Sequence, residues 1–303
     1  MPLPTLLDIA KSLGSEGLSA LVDEVQLAVP EIRMGASRPI KGIQYKQNVR
    51  TALPGGSFRN ANEGTAPVKS NFEERLFNCF IANPIWTCDK AVADAHEDGA
   101  ASYIATEASG ITMGQFIHVG KQFYYGTGND AKGFPGLLAM YNADAMTVDA
   151  TGTTADTGSS VWFVKWGPMG LQFLYGNNAE LKLSDVKEVV ETDSNGKKMT
   201  VYHQEMLAWI GLKLASLNSV VRIKNLTAQA GKGLTDALMA DAMAKFPVGW
   251  KPDVIFASRR SITQLRKSRT ATTETGKEVP TPQDFDGIPL VPTDSIVDTE
   301  AIA

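Results

Sequence analysis

Ile43-Gln44-Tyr45-Lys46-Gln47-Asn48-Val49-Arg50-Thr51-Ala52-Leu53 opens the stretch on which the reading of the chain turns. Pro54-Gly55-Gly56-Ser57-Phe58-Arg59-Asn60-Ala61-Asn62-Glu63-Gly64-Thr65, dense in turn formers, follows it. The chain then returns through Ala66-Pro67-Val68-Lys69-Ser70-Asn71-Phe72-Glu73-Glu74-Arg75-Leu76-Phe77. In the first limb Ile43, Tyr45, Val49 and Leu53 alternate loosely with polar residues, as in an exposed strand. The second limb sets Val68, Phe72 and Leu76 among Lys, Asn, Glu and Arg. This pattern predicts a long two-stranded projection with little apolar surface. Such a hairpin is marginal alone, and its open edges invite another chain. The competing reading is a long surface loop, a class usually functional or disordered.

The rest of the chain is ordinary in bulk. Of 303 residues, 43% are hydrophobic and 20% charged, a globular composition that excludes disorder and collagen-like structure. Twenty-nine Lys and Arg against 33 Asp and Glu give a net charge of -4, which argues against coating nucleic acid by charge alone. Two cysteines, Cys79 and Cys88, rule out a disulfide framework and a multi-cysteine zinc site. Met1-Pro2-Leu3-Pro4-Thr5-Leu6-Leu7-Asp8 does not read as a signal peptide. No apolar run approaches the ~18 residues of a membrane helix. A soluble protein of a reducing compartment is expected.

On either side of the projection the periodicity changes. Leu3, Leu6, Leu7 and Ile9 predict a short helix ending near Gly14. Leu18, Leu21, Val22, Val25 and Ala28 predict another, stopped by Pro30; neither is long enough to be stable alone. Residues 89–124 read as a long helix rich in alanine, with Gly99, Gly110 and Gly114 weakening it and a kink expected near Gly110. Residues 126–160 are loop-rich around a short apolar piece at 137–141. Strands at 161–166 and 171–175 flank Gly167-Pro168-Met169-Gly170, a hairpin signal. Those at 186–191 and 199–214 flank Asp193-Ser194-Asn195-Gly196, whose Asn-Gly pair suits a type I′ turn. A strand at 220–223 follows, and an antiparallel sheet is expected from this region. Then come an amphipathic helix (234–246), a short buried strand (254–257), a basic helix (262–268) and two short strands (288–291 and 295–297).

Each motif with chemical content has a competing bland reading. His96-Glu97-Asp98-Gly99-Ala100 starts like a metalloprotease helix, but Ala100 stands where the second histidine belongs. His96, His118 and His203 are far apart in sequence. Gly126-Thr127-Gly128-Asn129-Asp130-Ala131 has a loose dinucleotide-binding spacing without the strand and helix that motif requires. Asp284-Phe285-Asp286-Gly287 has the paired aspartates of a phosphotransferase, yet residues 278–283 cannot form the buried strand that chemistry needs. Arg259, Arg260, Arg266, Lys267 and Arg269 form one basic cluster. It could meet phosphate, but with no aromatic platform it reads as a solvated face or a contact with acidic groups on a neighbour. No catalytic residue, metal or cofactor is expected. The arm and the hairpin both need a partner.

Taken together, the chain resembles the major capsid proteins of tailed double-stranded DNA bacteriophages. Residues 51–64 resemble the tip of that family's extended loop, and Cys88-Asp89-Lys90-Ala91-Val92-Ala93-Asp94 the start of its spine helix. Gly133-Phe134-Pro135-Gly136-Leu137 looks like the way into its axial domain. Val220-Val221-Arg222-Ile223-Lys224-Asn225-Leu226 is similar to the closing strand of its peripheral sheet. Asp284-Phe285-Asp286-Gly287-Ile288-Pro289-Leu290 with Thr293-Asp294-Ser295-Ile296 resembles its C-terminal strand pair.

The resemblance implies an α+β fold in four parts: an N-terminal arm (1–40), an extended loop (41–78), a peripheral domain (79–125 and 157–226) and an axial domain (126–156 and 227–303). It implies hexamers and pentamers closing into an icosahedral head around double-stranded DNA, held without sequence-specific contacts, and no enzyme activity. Leu53, Pro54, Phe58, Arg59 and Glu63 become inter-subunit contacts, and the cluster from Arg259 to Arg269 a charged contact. Because the chain starts directly at the arm, a separate scaffolding protein is expected, with a portal protein and a cement protein as further partners, no membrane, and assembly in the host cytoplasm. Lys46 and Lys69 lie in the loop, but nothing identifies a cross-linking partner for them. The alternatives are a bacterial nanocompartment shell with the same fold and, far behind, a phosphotransferase using Asp284 and Asp286.

Overall fold

A computed structural model of the chain describes residues 29–140, 144–179, 182–271 and 279–302. The helices expected before residue 29 lie outside the described residues. Pro30, expected to stop the helix before it, itself begins a helix, Pro30–Met34. Proline suits the first turn because an N–H there would have no intrahelical partner.

One strand organises the larger sheet. Lys198–Leu214 runs for 17 residues, about 55 Å at the usual rise per residue. Along its length it pairs antiparallel with Lys187–Thr192, Ile85–Asp89, Lys182–Leu183, Phe80–Ala82 and Leu171–Tyr175. Ser37–Pro39 adds in parallel beyond Leu171–Tyr175, making seven strands. The hairpin at the far end has a longer connection than a two-residue loop. Asp193 N–H donates to the Lys197 carbonyl at 2.8 Å, and the Asp193 carboxylate accepts from the Asn195 and Lys197 N–H groups. Only Gly196 takes a left-handed φ (79°), so the loop has three residues closed by a left-handed glycine rather than the expected type I′ turn.

Across one face of this sheet lies a helix, Ala100–Tyr125, about 39 Å long at 1.5 Å per residue. Its C-terminal end is embedded. Val119, Phe123 and Tyr124 are buried, and the Phe123 ring meets Tyr124 at 4.8 Å and Phe173 at 5.4 Å. Its N-terminal half buries only Tyr103 and Ile104. The expected kink near Gly110 is absent, and the interruption falls earlier. Lys90–Ala93 is a separate short helix capped by Asp89, whose carboxylate accepts from Ala91 N–H at 3.0 Å. Residues 94–99 then leave helical geometry, ending on Gly99 at φ 82°.

The second sheet has six strands in the order Asp284–Phe285, Ile288–Pro292, Val254–Ala257, Ser159–Val164, Val220–Leu226, Thr147–Asp149. Ser159–Val164 and Val254–Ala257 are buried at every position, the pattern of strands covered on both faces. Leu234, Met239 and Ala242, around helix Asp236–Ala244, and Ile262 and Leu265, in helix Arg259–Ala271, pack into the same core.

This partition corrects two expectations. Ser159–Val164 and Leu171–Tyr175 do not form a hairpin, because they belong to different sheets. Val164 already faces Val220 on one side and Val254 on the other, so neither edge is open, and the 167–170 turn carries the chain from one sheet to the other. Val220–Leu226, expected to close the sheet of the long strand, lies in the second sheet for the same reason. Residues 295 and 296 are bends and 297 is irregular, rather than a strand. Side chains satisfy their backbone donors: Ser295 N–H gives to Thr293 Oγ1 (3.1 Å) and Val297 N–H to the Tyr125 hydroxyl (2.9 Å).

The glycines of the long helix make a quantitative test. A Cβ at Gly110 meets nothing within 4 Å. Gly110→Ala is expected to stabilise the isolated subunit by about 0.5–1 kcal/mol, read as a raised urea midpoint. Gly136 is the opposite case, since its Cβ would lie 2.4 Å from Gly126 N. Gly136→Ala is expected to destabilise the subunit by about 1–3 kcal/mol, read as a lowered midpoint.

Candidate inter-subunit interface

Strands Gln44–Ala52 and Asn71–Asn78 pair antiparallel with each other and, among the described residues, with no other strand. The ribbon they form is anchored at one end. Phe77 and Cys79 are buried with Ile40 and Leu174, Cys79 N–H donates to the Ile43 carbonyl at 2.8 Å, and the Arg75 guanidinium donates to the Ala215 carbonyl at 3.0 Å. The Tyr45 ring receives two cations, Arg38 at 4.8 Å and the Lys213 ammonium at 5.1 Å. Lys213 is completely buried and donates to the Pro168 carbonyl (2.7 Å) and Gln172 Oε1 (3.0 Å). Burial, with a smaller push from Arg38, brings its pKa down to about 8.

Beyond that root the ribbon leaves the body. Residues 51–69 are all exposed, with Leu53 at 78% and Phe58 at 107% of full accessibility. Apart from Gln47, whose side-chain amide reaches the Pro168 carbonyl at 3.5 Å, the contacts along the ribbon include its own: Lys46 to Glu74 at 2.9 Å, and the Arg50 guanidinium 5.3 Å from the Phe72 ring. At the tip the Arg59 guanidinium donates to the Glu63 carbonyl (2.7 Å), while the Glu63 carboxylate accepts from the Asn60 backbone (3.3 Å) and side-chain amide (3.2 Å). Leu53, Pro54, Phe58, Arg59 and Glu63 thus sit together on an outlying loop. Arg59 and Glu63 shape it, and the apolar side chains of Leu53 and Phe58 stand in solvent.

The basic cluster disperses. Arg259 pairs with Asp294 (2.8 Å) and Arg260 with Asp298 (3.3 Å), while Arg260 also donates to the carbonyls of Thr157 and Leu226. Arg266 Nε donates to the Val279 carbonyl at 2.7 Å. Arg269 grips Asp236 through two nitrogens, which raises its own pKa. These acidic partners lie in the same chain, not on a neighbour. Lys267 and much of Arg259 remain exposed.

The candidate chemical motifs do not converge. Asp286 and Gly287 have φ 52° and 70° and turn a two-residue hairpin between Asp284–Phe285 and Ile288–Pro292, so the aspartates serve a turn on the surface. Gly126–Gly128 is a single 3-10 turn. His118 lies 3.4 Å from Asp130, and His96 leans on Tyr103 at 5.6 Å. Among the described residues no cluster of His, Cys, Asp or Glu could hold a metal ion, and no helix is long and apolar enough to cross a membrane. Burial raises both cysteine thiols to about 11, so they stay neutral and unreactive at ordinary pH. Sequence reasoning missed Lys213 and Tyr45 at the ribbon root; a lysine inside an apolar strand was the available signal. It also missed Glu31, which is buried against Tyr124 and Thr293.

Root and tip should respond differently to mutation. Phe58→Ser and Leu53→Ser are expected to leave subunit stability within about 0.5 kcal/mol of the parent, whereas Phe77→Ala should cost about 3–5 kcal/mol. Denaturant unfolding of the unassembled protein checks both.

A family model for Major capsid protein GP7 matches residues 38–303. A chain from the structure of bacteriophage Epsilon15 superposes with a TM-score of 0.77 at 20% identity, covering 99% of this chain and 97% of that one. The SrpI encapsulin of Synechococcus elongatus gives a TM-score of 0.51 at 9% identity, covering 76% and 98%. At these identities both likenesses concern the fold. Among curated proteins, none matches the sequence.

Proposed function

From the premise that the chain belongs to the Major capsid protein GP7 family, and so is a structural subunit of a phage head and not an enzyme, we propose that the ribbon around residues 44–78 interlocks each copy with the next. The carrying observation is the exposure of every residue from 51 to 69 on a ribbon whose strands pair with no other strand among the described residues. A two-stranded ribbon with Leu53, Phe58, Val68, Phe72 and Leu76 in water gains burial by lying across another copy. Obligate contacts of that type bury about 2,000 Å² or more in total, and closed symmetry satisfies each such surface. Leu53, Pro54, Phe58, Arg59 and Glu63 are the contacts proposed at the tip, with Lys267 and Arg259 as the charged contacts carried forward from the basic helix.

The same reading divides the body by its two sheets. The long helix and the seven-stranded sheet form the peripheral part. The six-stranded sheet with its two flanking helices forms the axial part, so Ser159–Val164 and Val220–Leu226 move from the first to the second. Hexamers and pentamers of this subunit would close an icosahedral shell around double-stranded DNA. Its net charge of -4 suits a wall along which DNA slides during filling. A separate scaffolding protein, a portal protein, a cement protein and assembly in the host cytoplasm belong to the same proposal and are supported by family membership alone. The nanocompartment reading has fold likeness without a family match and is not favoured.

Deleting residues 53–64 tests the interlock. The variant is expected to keep the circular dichroism and unfolding midpoint of the parent and to form no closed particles by negative-stain electron microscopy. Normal shells from the deletion would show that the tip is not the interlock.

A further inference from the structure

The short helix Pro30–Met34 joins the N-terminal residues to the body, and its Glu31 side chain is completely buried. Glu31 Oε1 accepts from the Tyr124 hydroxyl of the long helix at 2.8 Å and from the Thr293 hydroxyl of the segment that follows the last strand. Oε2 has no hydrogen-bond partner. The Ser295 hydroxyl, also buried, borders the same carboxyl as its third hydroxyl neighbour, although neither Ser295 Oγ nor Oε2 completes a well-aligned hydrogen bond.

The charges around this pocket are engaged elsewhere or point away. Arg33, on the same helix, is exposed. On the long helix His118 engages Asp130, Lys121 makes no ion pair with Glu31, and Tyr125 donates to Glu300 at 2.6 Å. On the C-terminal segment Asp294 is held by Arg259. The neighbouring strand packs Phe173 against Gly35 and brings no charge. A buried carboxylate without a cation is costly to ionise. Burial outweighs the hydroxyl hydrogen bonds and raises the carboxyl's pKa above the usual range.

An ionised Glu31 would face three hydroxyls and no cation in a dry site, whereas one proton on Oε2 removes the buried charge. We propose that Glu31 is a proton-operated latch: as the neutral acid it clamps the root of the N-terminal segment to Tyr124, Thr293 and Ser295, and on ionisation the clamp loosens. The sign follows from linkage. A carboxyl whose folded pKa is raised contributes stability that is complete below the ordinary carboxylate range and is lost as pH rises through the folded value. The inference goes beyond the shell role and does not rest on it, since the latch lies within one subunit.

Glu31→Gln tests it, because the amide accepts from Tyr124 and Thr293, can donate to Ser295 Oγ, and cannot ionise. Two readouts on the full chain are compared at each pH: the thermal midpoint from about pH 4 to about pH 8, and tryptic cleavage after Arg33 from about pH 6 to about pH 9. The wild-type midpoint is expected to match the variant in acid and fall below it as pH rises. The cleavage-rate ratio, wild type over variant, should grow by up to about tenfold per pH unit above the folded pKa. A ratio that does not change with pH, or a variant less stable throughout, overturns the latch. Ser295→Ala removes a hydroxyl that favours the carboxylate and should move the wild-type decline to higher pH. Should Glu31→Gln not fold, an unshifted profile in Ser295→Ala is the overturning result.

Discussion

A ribbon two strands wide has no second layer against which to bury its side chains, and the rest of the molecule is arranged around that deficit. Strands Gln44–Ala52 and Asn71–Asn78 satisfy each other's backbone groups through eight paired positions, which makes the ribbon geometrically definite. They give its apolar side chains nowhere to go. Burial has to come from outside, at about 25 cal/mol per Å² of apolar surface removed from water. The subunit therefore holds the ribbon at its root and leaves the remainder uncovered. Phe77 and Cys79 sink into the cluster with Ile40 and Leu174, while the apolar tip side chains stay in solvent.

The root is built at some cost, and the construction shows what is being held. Lys213 is a buried ammonium without a carboxylate partner. Two neutral oxygens and the face of Tyr45 replace its water. A cation so placed is worth most in a dry site, and Tyr45 belongs to the ribbon, so the contact fixes the ribbon's orientation as it leaves the sheet. The long strand Lys198–Leu214 supplies the base. Near one end it carries Lys213, and along its middle it pairs with the short strands that follow the ribbon. A continuous strand of this length conveys the ribbon's position to the sheet without a hinge between them.

Much of this was legible from local pattern. The loose alternation in Ile43 to Leu53, the run of turn formers after it and the scarcity of apolar residues through Leu76 define a projecting hairpin without reference to the rest of the chain. The long helix, the strand at 254–257 and the basic helix were likewise visible from periodicity. Sheet membership was not. Val161-Trp162-Phe163-Val164 and Leu171-Gln172-Phe173-Leu174 look alike, are close in sequence and bracket a turn, yet they enter different sheets. What decides this is the competition of Val220–Leu226 and Val254–Ala257 for the two edges of Ser159–Val164, and those competitors lie more than fifty residues downstream. The kink expected at Gly110 failed for a related reason. Propensity weakens a helix at an exposed glycine, but a 26-residue helix docked at its C-terminal end tolerates that loss, and the break moved to Gly99, where the backbone adopts a positive φ.

The basic helix shows how a charge run misleads when partners are unknown. Arg259, Arg260, Arg266 and Arg269 look in sequence like a surface for an anion. Each instead meets acceptors of its own chain, three of them at Asp294, Asp298 and Asp236 and the fourth at a backbone carbonyl. These pairs tie the helix to the C-terminal segment and to the neighbouring helix, so its positive charge is largely neutralised before any partner arrives. For a subunit proposed to enclose a polyanion, this has a physical consequence. Arginines locked to aspartates offer few free cations to phosphate, and each cation not offered is a counterion-release contribution to DNA binding that does not occur. The same pairing that ties this helix to the core of the six-stranded sheet would thus keep this part of the wall from gripping the polymer it is proposed to enclose.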